Sequence, residues 1–206
     1  MAYIGKTPTA VPLTSSDITN GIITTAKIAD DAISAAKLAS GVGGKVLQMI
    51  TAQDNSVKSR SGEGTVDLVS LTITPTATSS KIYLMMQTAW GHGGNANSPS
   101  AAIFPVRAIS GGATTLLAQE AVPSGQNNIG GLASTENKNE GVEHIQSLGG
   151  HFIDTPNTTS AITYTMRFHV ADAGSHTYYM GSSGQQNNTT YNHRIPHIIT
   201  TIEIGG

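Results

Sequence analysis

ITYTMRFHV, residues 162–170, alternates throughout. Ile162, Tyr164, Met166, Phe168 and Val170 take one side; Thr163, Thr165, Arg167 and His169 take the other. Successive side chains of an extended chain point to opposite faces, so a period of two describes a strand with one apolar and one wet face. Such half-buried strands belong to antiparallel sheets, which meet a core on one side only. Working outward from this stretch (161–170 with its flank), similar runs fall at 46–53, 65–73, 81–90, 102–110, 114–121, 144–154, 175–182 and 196–204. The last reads similarly, with Ile198, Thr200, Ile202 and Ile204 on one side and a mixed set, His197, Ile199, Thr201 and Glu203, on the other. TPTATSSK (74–81), SGG (110–112), DTPNTTS (154–160) and ADAGS (171–175) supply turns between runs. Nine short strands without helical periodicity predict an antiparallel β-sandwich of jelly-roll type for residues 45–206.

Three connections are longer: Gly91 to Ser100, Ser124 to Glu143 and Ser183 to Arg194, all rich in Gly, Asn, Ser and Gln. Long connections on a compact scaffold are where binding residues concentrate.

Composition narrows the class. Charged residues are 12% of the chain, about half the usual share, and the net charge is −2 with no basic run. That argues against nucleic acid held through its phosphates and against a polybasic membrane contact. No apolar run reaches the length of a membrane-spanning helix, so no membrane insertion is expected. The opening MAYIGKTPTAVPLTSSD lacks a signal peptide's charged start and apolar stretch, which predicts synthesis in a cytoplasm. Cysteine is absent, which removes disulfides and thiolate metal sites.

Ahead of the strands lies a repeat. Residues 18–42 divide into ITNGI, ITTAK, IADDA, ISAAK and LASGV, with Ile18, Ile23, Ile28, Ile33 and Leu38 every fifth position. Five residues turn a helix by about 140° beyond a full turn, so these anchors would spiral around it. In a strand an odd step alternates faces. One copy cannot bury its own apolar side chains, which predicts several chains, three by analogy with fibrous stalks, wound around a shared axis. The expected backbone is partly helical, short turns alternating with extended links; a single amphipathic helix over 24–39 is the alternative. Gly41, Gly43 and Gly44 then form a hinge, giving an arm at 1–17, a stalk at 18–44 and a head at 45–206. Residues 1–17 show no periodicity, and read alone they fit a disordered tail or an extended arm.

AYIGKTP at the start, ITTAKIADDAISAAKLA, TITPTATSSKI (72–82), DTPNTTSAITYTMRF (154–168) and ITTIEI (199–204) together resemble tail-fibre and other virion structural proteins of marine bacteriophages, especially cyanophages. The resemblance implies a homotrimer in the virion, with an N-terminal segment held by a tail hub, adaptor or capsid protein, a repetitive stalk and a trimeric β-sandwich as the distal head. It favours the arm reading, with Tyr3, Ile4, Val11 and Leu13 as anchors. Tail fibres are often far longer and carry an adaptor domain, for which about 17 residues are too few.

Catalytic patterns are weak. Glycoside hydrolysis needs two carboxylates flanking one bond, whereas Glu136, Glu140 and Glu143 lie in a Gly/Asn-rich connection. No GxSxG elbow or phosphate loop is present, and no enzyme activity or cofactor is expected. His193 and His197 bracket RIP and His92 sits in WGHGG, but neither HExxH nor His-x-His occurs. A threefold axis could gather one His per chain; ordinary strand and loop histidines are the simpler reading. A host-surface glycan or protein is the better-supported ligand, since aromatic faces beside neutral hydrogen-bonding groups suit sugars. The candidates are Trp90, His92, Asn95, Gln186, Asn188 and Tyr191. The competing reading for Trp90, Tyr178 and Tyr179 is core or subunit contact.

Overall fold

A computed structural model describes residues 14, 21, 23, 24, 26, 28, 29, 32, 46–93, 100–118, 131–136, 144–171, 176–183 and 193–206. The chain divides into two compact units, Met1–Gly44 and Lys45–Gly206.

In the first unit Ile23 and Ile28 are 54% and 38% exposed. The Ala32 N–H donates to the Ala29 carbonyl at 3.0 Å, closing a turn. No α-helix occurs among the described residues, so neither the partly helical stalk nor the 24–39 helix is seen there. Ile18, Ile33 and Leu38, and the arm residues Tyr3, Ile4, Val11 and Leu13, lie outside the described residues.

The second unit is an antiparallel sandwich of strands β1 (Val46–Asp54), β2 (Lys58–Ser61), β3 (Gly64–Ile73), β4 (Lys81–Gly93), β5 (Ser100–Ile109), β6 (Thr114–Leu116), β7 (Ala133–Glu136), β8 (Gln146–Asp154), β9 (Ile162–Ala171), β10 (Thr177–Met180) and β11 (His197–Ile204). In the first sheet β4 pairs with β8 along one edge and with β11 and β10, end to end, along the other; β1 then pairs with β11, and β2 with β10. The second sheet runs β3, β9, β5, with both β6 and β7 on the far edge of β5. Counting β1 with β2, β6 with β7 and β10 with β11 gives four strands per sheet in the interleaved order of a jelly roll.

The alternation of 162–170 is realised as read: Ile162, Tyr164, Met166, Phe168 and Val170 are buried against Leu71, Ile73, Ile82, Leu84 and Ile103. β2 and β7 fall outside the nine sequence runs, and β6 stops at Leu116, short of 121. β11 turns its faces unexpectedly. Its mixed side, His197, Ile199, Thr201 and Glu203, is the buried one, while Ile198, Ile202 and Ile204 stay partly exposed on the outer face.

Candidate functional site

Two buried carboxylates look at first like chemistry. Glu203, 0% exposed, points inward from β11. Its Oε1 accepts from the Thr76 N–H at 2.7 Å, the Thr76 hydroxyl at 2.7 Å and the Ser80 hydroxyl at 2.6 Å. Its Oε2 accepts from Gln48 Nε2 at 2.6 Å, and Gln48 also donates to the Thr74 carbonyl at 2.8 Å. Burial works to raise the carboxyl's pKa, but the bonds from Ser80, Gln48 and Thr76 outweigh it and hold the group below the usual carboxylate range. The TPTATSS connection is thus wrapped around one carboxylate of the last strand.

Asp154, at the end of β8, accepts from Arg107 Nη1 of β5 at 2.7 Å and from the Tyr164 hydroxyl of β9 at 2.7 Å. Burial, then the bond to Asp154, pushes the Tyr164 phenol well above its ordinary pKa. The triad joins the two sheets. Both clusters are closed: every acid oxygen named faces a donor from the protein itself, so each is built to hold the chain.

His197 is fully buried, with Nδ1 2.7 Å from Thr88 Oγ1. Desolvation lowers its pKa, opposed by the charge of Asp54. Among the described residues no group of three or more His, Asp or Glu could hold a metal ion.

The receptor candidates divide sharply. Trp90 and His92 are 0% exposed. Trp90 packs on Phe168 and Tyr178 at ring-centroid distances of 5.9 and 6.1 Å. Their place on a receptor-facing surface is therefore corrected. β4 is the central strand of its sheet, and its end is covered by β10 on one side and by the second sheet above. Asn95, Gln186, Asn188 and Tyr191 lie outside the described residues. The strand ends beside these connections are paired at separate places. Gly93 pairs with Thr177, and Ser100 pairs with both Ala171 and Glu136. Ser182 bridges to Arg194 across the base of the 184–192 connection.

The outer face of the first sheet was not foreseen. Met49, Ile202, Tyr83 and Ile153 stand in one cross-strand row, each the register partner of the next. Met49 is 65% and Ile153 53% exposed. Thr51, Thr200, Met85 and His151 form the adjoining row, with the Thr51 and Thr200 hydroxyls 3.0 Å apart and Tyr83 against the His151 ring at 5.7 Å. The signal was present in the isoleucines of 198–204, which a reading of strands one at a time cannot assign to a face.

No family model and no curated protein matches this sequence. Among solved structures, the chain is similar over 76% of its length to a structure of the infectious bursal disease virus Gx strain, at 12% identity and TM-score 0.39. It is similar over 77% to the VP2 subviral particle of that virus, at 11% identity and TM-score 0.37, and over 77% to its T=1 particles, at 9% identity and TM-score 0.41. The match spans 37%, 38% and 36% of those chains, little over a third of their length. A likeness this distant says nothing of function.

Proposed function

We propose that this chain is a non-enzymatic structural fibre protein of a bacteriophage particle, in the manner of the tail-fibre proteins its motifs resemble. Residues 1–17, through Tyr3, Ile4, Val11 and Leu13, bind a tail hub, adaptor or capsid protein. The pentads trimerise, and the jelly roll presents its connections to a host-surface glycan or protein.

The observation that carries this reading is the joining of a five-residue apolar repeat to a jelly roll. Ile23 and Ile28 are 54% and 38% exposed in the single chain, and in this reading copies of the chain cover them. The placement of the resembling motifs adds support. TITPTATSSKI and ITTIEI meet at Glu203, and DTPNTTSAITYTMRF contributes both Asp154 and Tyr164 to the inter-sheet triad. These motifs serve folding, in keeping with a structural protein. Trimerisation would strengthen weak receptor contacts by rebinding.

The test is to locate the protein on purified phage particles by electron microscopy with a labelled antibody. Labelling of a projecting fibre is expected; label absent from particles would overturn the proposal. The burial of Trp90 and His92 removes two receptor candidates and so favours a second reading, an adaptor or decoration protein without a receptor. Particles lacking the protein would decide between them. Intact particles that fail to adsorb support the receptor binder, whereas failed assembly supports the adaptor.

A further inference from the structure

We infer that His197 is an acid-sensitive latch: uncharged, it holds closed the short ladder formed by 181–183 with 193–195, and protonation opens that ladder while the sheets around it stay folded. The latch goes beyond the fibre reading and holds whether or not the chain is a fibre.

Its place is a break in the first sheet. Asp54 pairs with His197 and Lys58 with Met180, so β1 gives way to β2 at the level where β11 begins and β10 ends. On the other side β4 passes without interruption, with Gln87 opposite Ile198 and Trp90 opposite Met180. Thr88 and Ala89 therefore face the gap. From it residues 181–183 and 193–195 run together. The Ile195 N–H donates to the Gly181 carbonyl at 3.1 Å, Ser182 bridges to Arg194, and the Ser183 N–H donates to the His193 carbonyl at 3.2 Å.

A continuous chain of contacts ties the ring to this ladder. The Thr88 hydroxyl donates to the Ala89 carbonyl at 3.3 Å, so His197 Nδ1, 2.7 Å from Thr88 Oγ1, carries the ring proton. The same Ala89 carbonyl accepts from the Gly181 N–H at 2.7 Å. Gly181 backs onto the ring, where a Cβ would stand 3.0 Å from Cε1 and 3.1 Å from Nε2. Nε2 is buried and has no hydrogen-bond partner. A proton arriving there places charge in a ring that is 0% exposed, against the first residue of the ladder.

Desolvation is the largest influence on the ring and favours its uncharged form. Asp54 and the Ser56 backbone favour the charged form, and Lys58, 2.8 Å from Asp54, opposes it. In the ladder itself His193 and Arg194 are exposed. Across the interior the buried side chains of β3 and β9 are apolar apart from Tyr164, which is bonded to Asp154. Opening the ladder admits water to Nε2 and returns the imidazole toward its ordinary pKa of about 6.5. The open form then takes up a proton that the closed form resists, so it gains as pH falls.

Amide hydrogen exchange by NMR on the full-length protein at pH 8 and pH 5, corrected for intrinsic rates, reads the ladder directly. The opening constants of Gly181, Ser183 and Ile195 should rise by more than about 3-fold, to a ceiling of about 30-fold for one proton, while Thr201 and Ile202 further along β11 stay within about 2-fold. His197→Gln, which keeps a neutral polar group beside Thr88, should remove the dependence, and His193→Gln should retain it. Following the His197 ring in wild type makes the test independent of how the variants fold: its protonation should coincide with loss of protection at Gly181. A smaller rise at the ladder overturns the latch, and so does an equal rise at Thr201 and Ile202, which would make the event global. A folded His197→Gln that keeps the pH dependence overturns it too, as does a ring that titrates while Gly181 stays protected.

Discussion

The two faces of the first sheet differ in a way that reverses simple hydropathy. Inward, β11 buries Glu203, Thr201 and His197; outward, it leaves Ile202, Ile204 and Ile198 partly open. A buried carboxylate is tolerable when its lone pairs are filled, and four donors from residues 48, 76 and 80 fill those of Glu203. Partly exposed isoleucines have no such internal remedy. They gain only when something covers them. The inner face is thus finished within one chain, whereas the outer face keeps part of its apolar surface in water.

Neighbouring residues on opposite faces allow this contrast to be broken piece by piece. Asp154 and Ile153 are the sharpest pair. Asp154→Ala leaves the part-buried Arg107 guanidinium without its carboxylate and the buried Tyr164 hydroxyl without its acceptor, which should cost about 2–4 kcal/mol of folding stability. Ile153→Thr, on the exposed side of the same strand, should change folding stability by less than about 1 kcal/mol. Denaturant titration of the two variants reads both effects. Glu203→Gln comes next, with a loss of about 1–3 kcal/mol as charge-assisted bonds weaken; Ile202→Thr beside it should leave folding nearly untouched.

Gly181 tests the support beneath the inner face. It sits at φ 81° after β10, and a Cβ there would lie 3.0 Å from His197 Cε1. Gly181→Ala should lower stability by about 1–2 kcal/mol through the left-handed conformation alone.

The pH dependence carries a definite sign. His197 and His169 have pKa values lowered chiefly by burial, so near pH 6 the unfolded chain binds more protons than the folded one. Their contribution is complete above the unfolded value of about 6.5 and is lost as pH falls toward the folded values. The melting temperature should therefore drop on mild acidification, and His197→Gln should flatten the slope. Smallest of all, Ser70→Ala on the solvated side of the second sheet should shift stability by no more than about 0.5 kcal/mol.

Much of the fold was legible because each of the long strands carries enough apolar residues to show its period. β9 gave its face directly. β2, KSRS, has no large apolar residue and is held by backbone pairing to β10, so nothing in its side chains announces it. β7, ASTE, is similarly small and pairs with β5. β6 ends early because Ala118 adopts φ 54°, and the chain leaves the ladder there. Site residues were less legible. Trp90 and His92 look like loop-edge residues only until β10 is known to pair with Gly91, His92 and Gly93. Glu203 meets its partners across more than 120 residues of sequence, and no local pattern can reveal such a contact.

Methionine oxidation in the full-length protein, read residue by residue by mass spectrometry, tests the central claim most directly, because buried and open thioethers are present as internal standards. Met86, Met166 and Met180 are buried, while Met49 is 65% exposed in the single chain. Met49 should oxidise well ahead of Met86, Met166 and Met180. Oxidation of Met86, Met166 or Met180 as fast as Met49 in the folded protein would contradict the account.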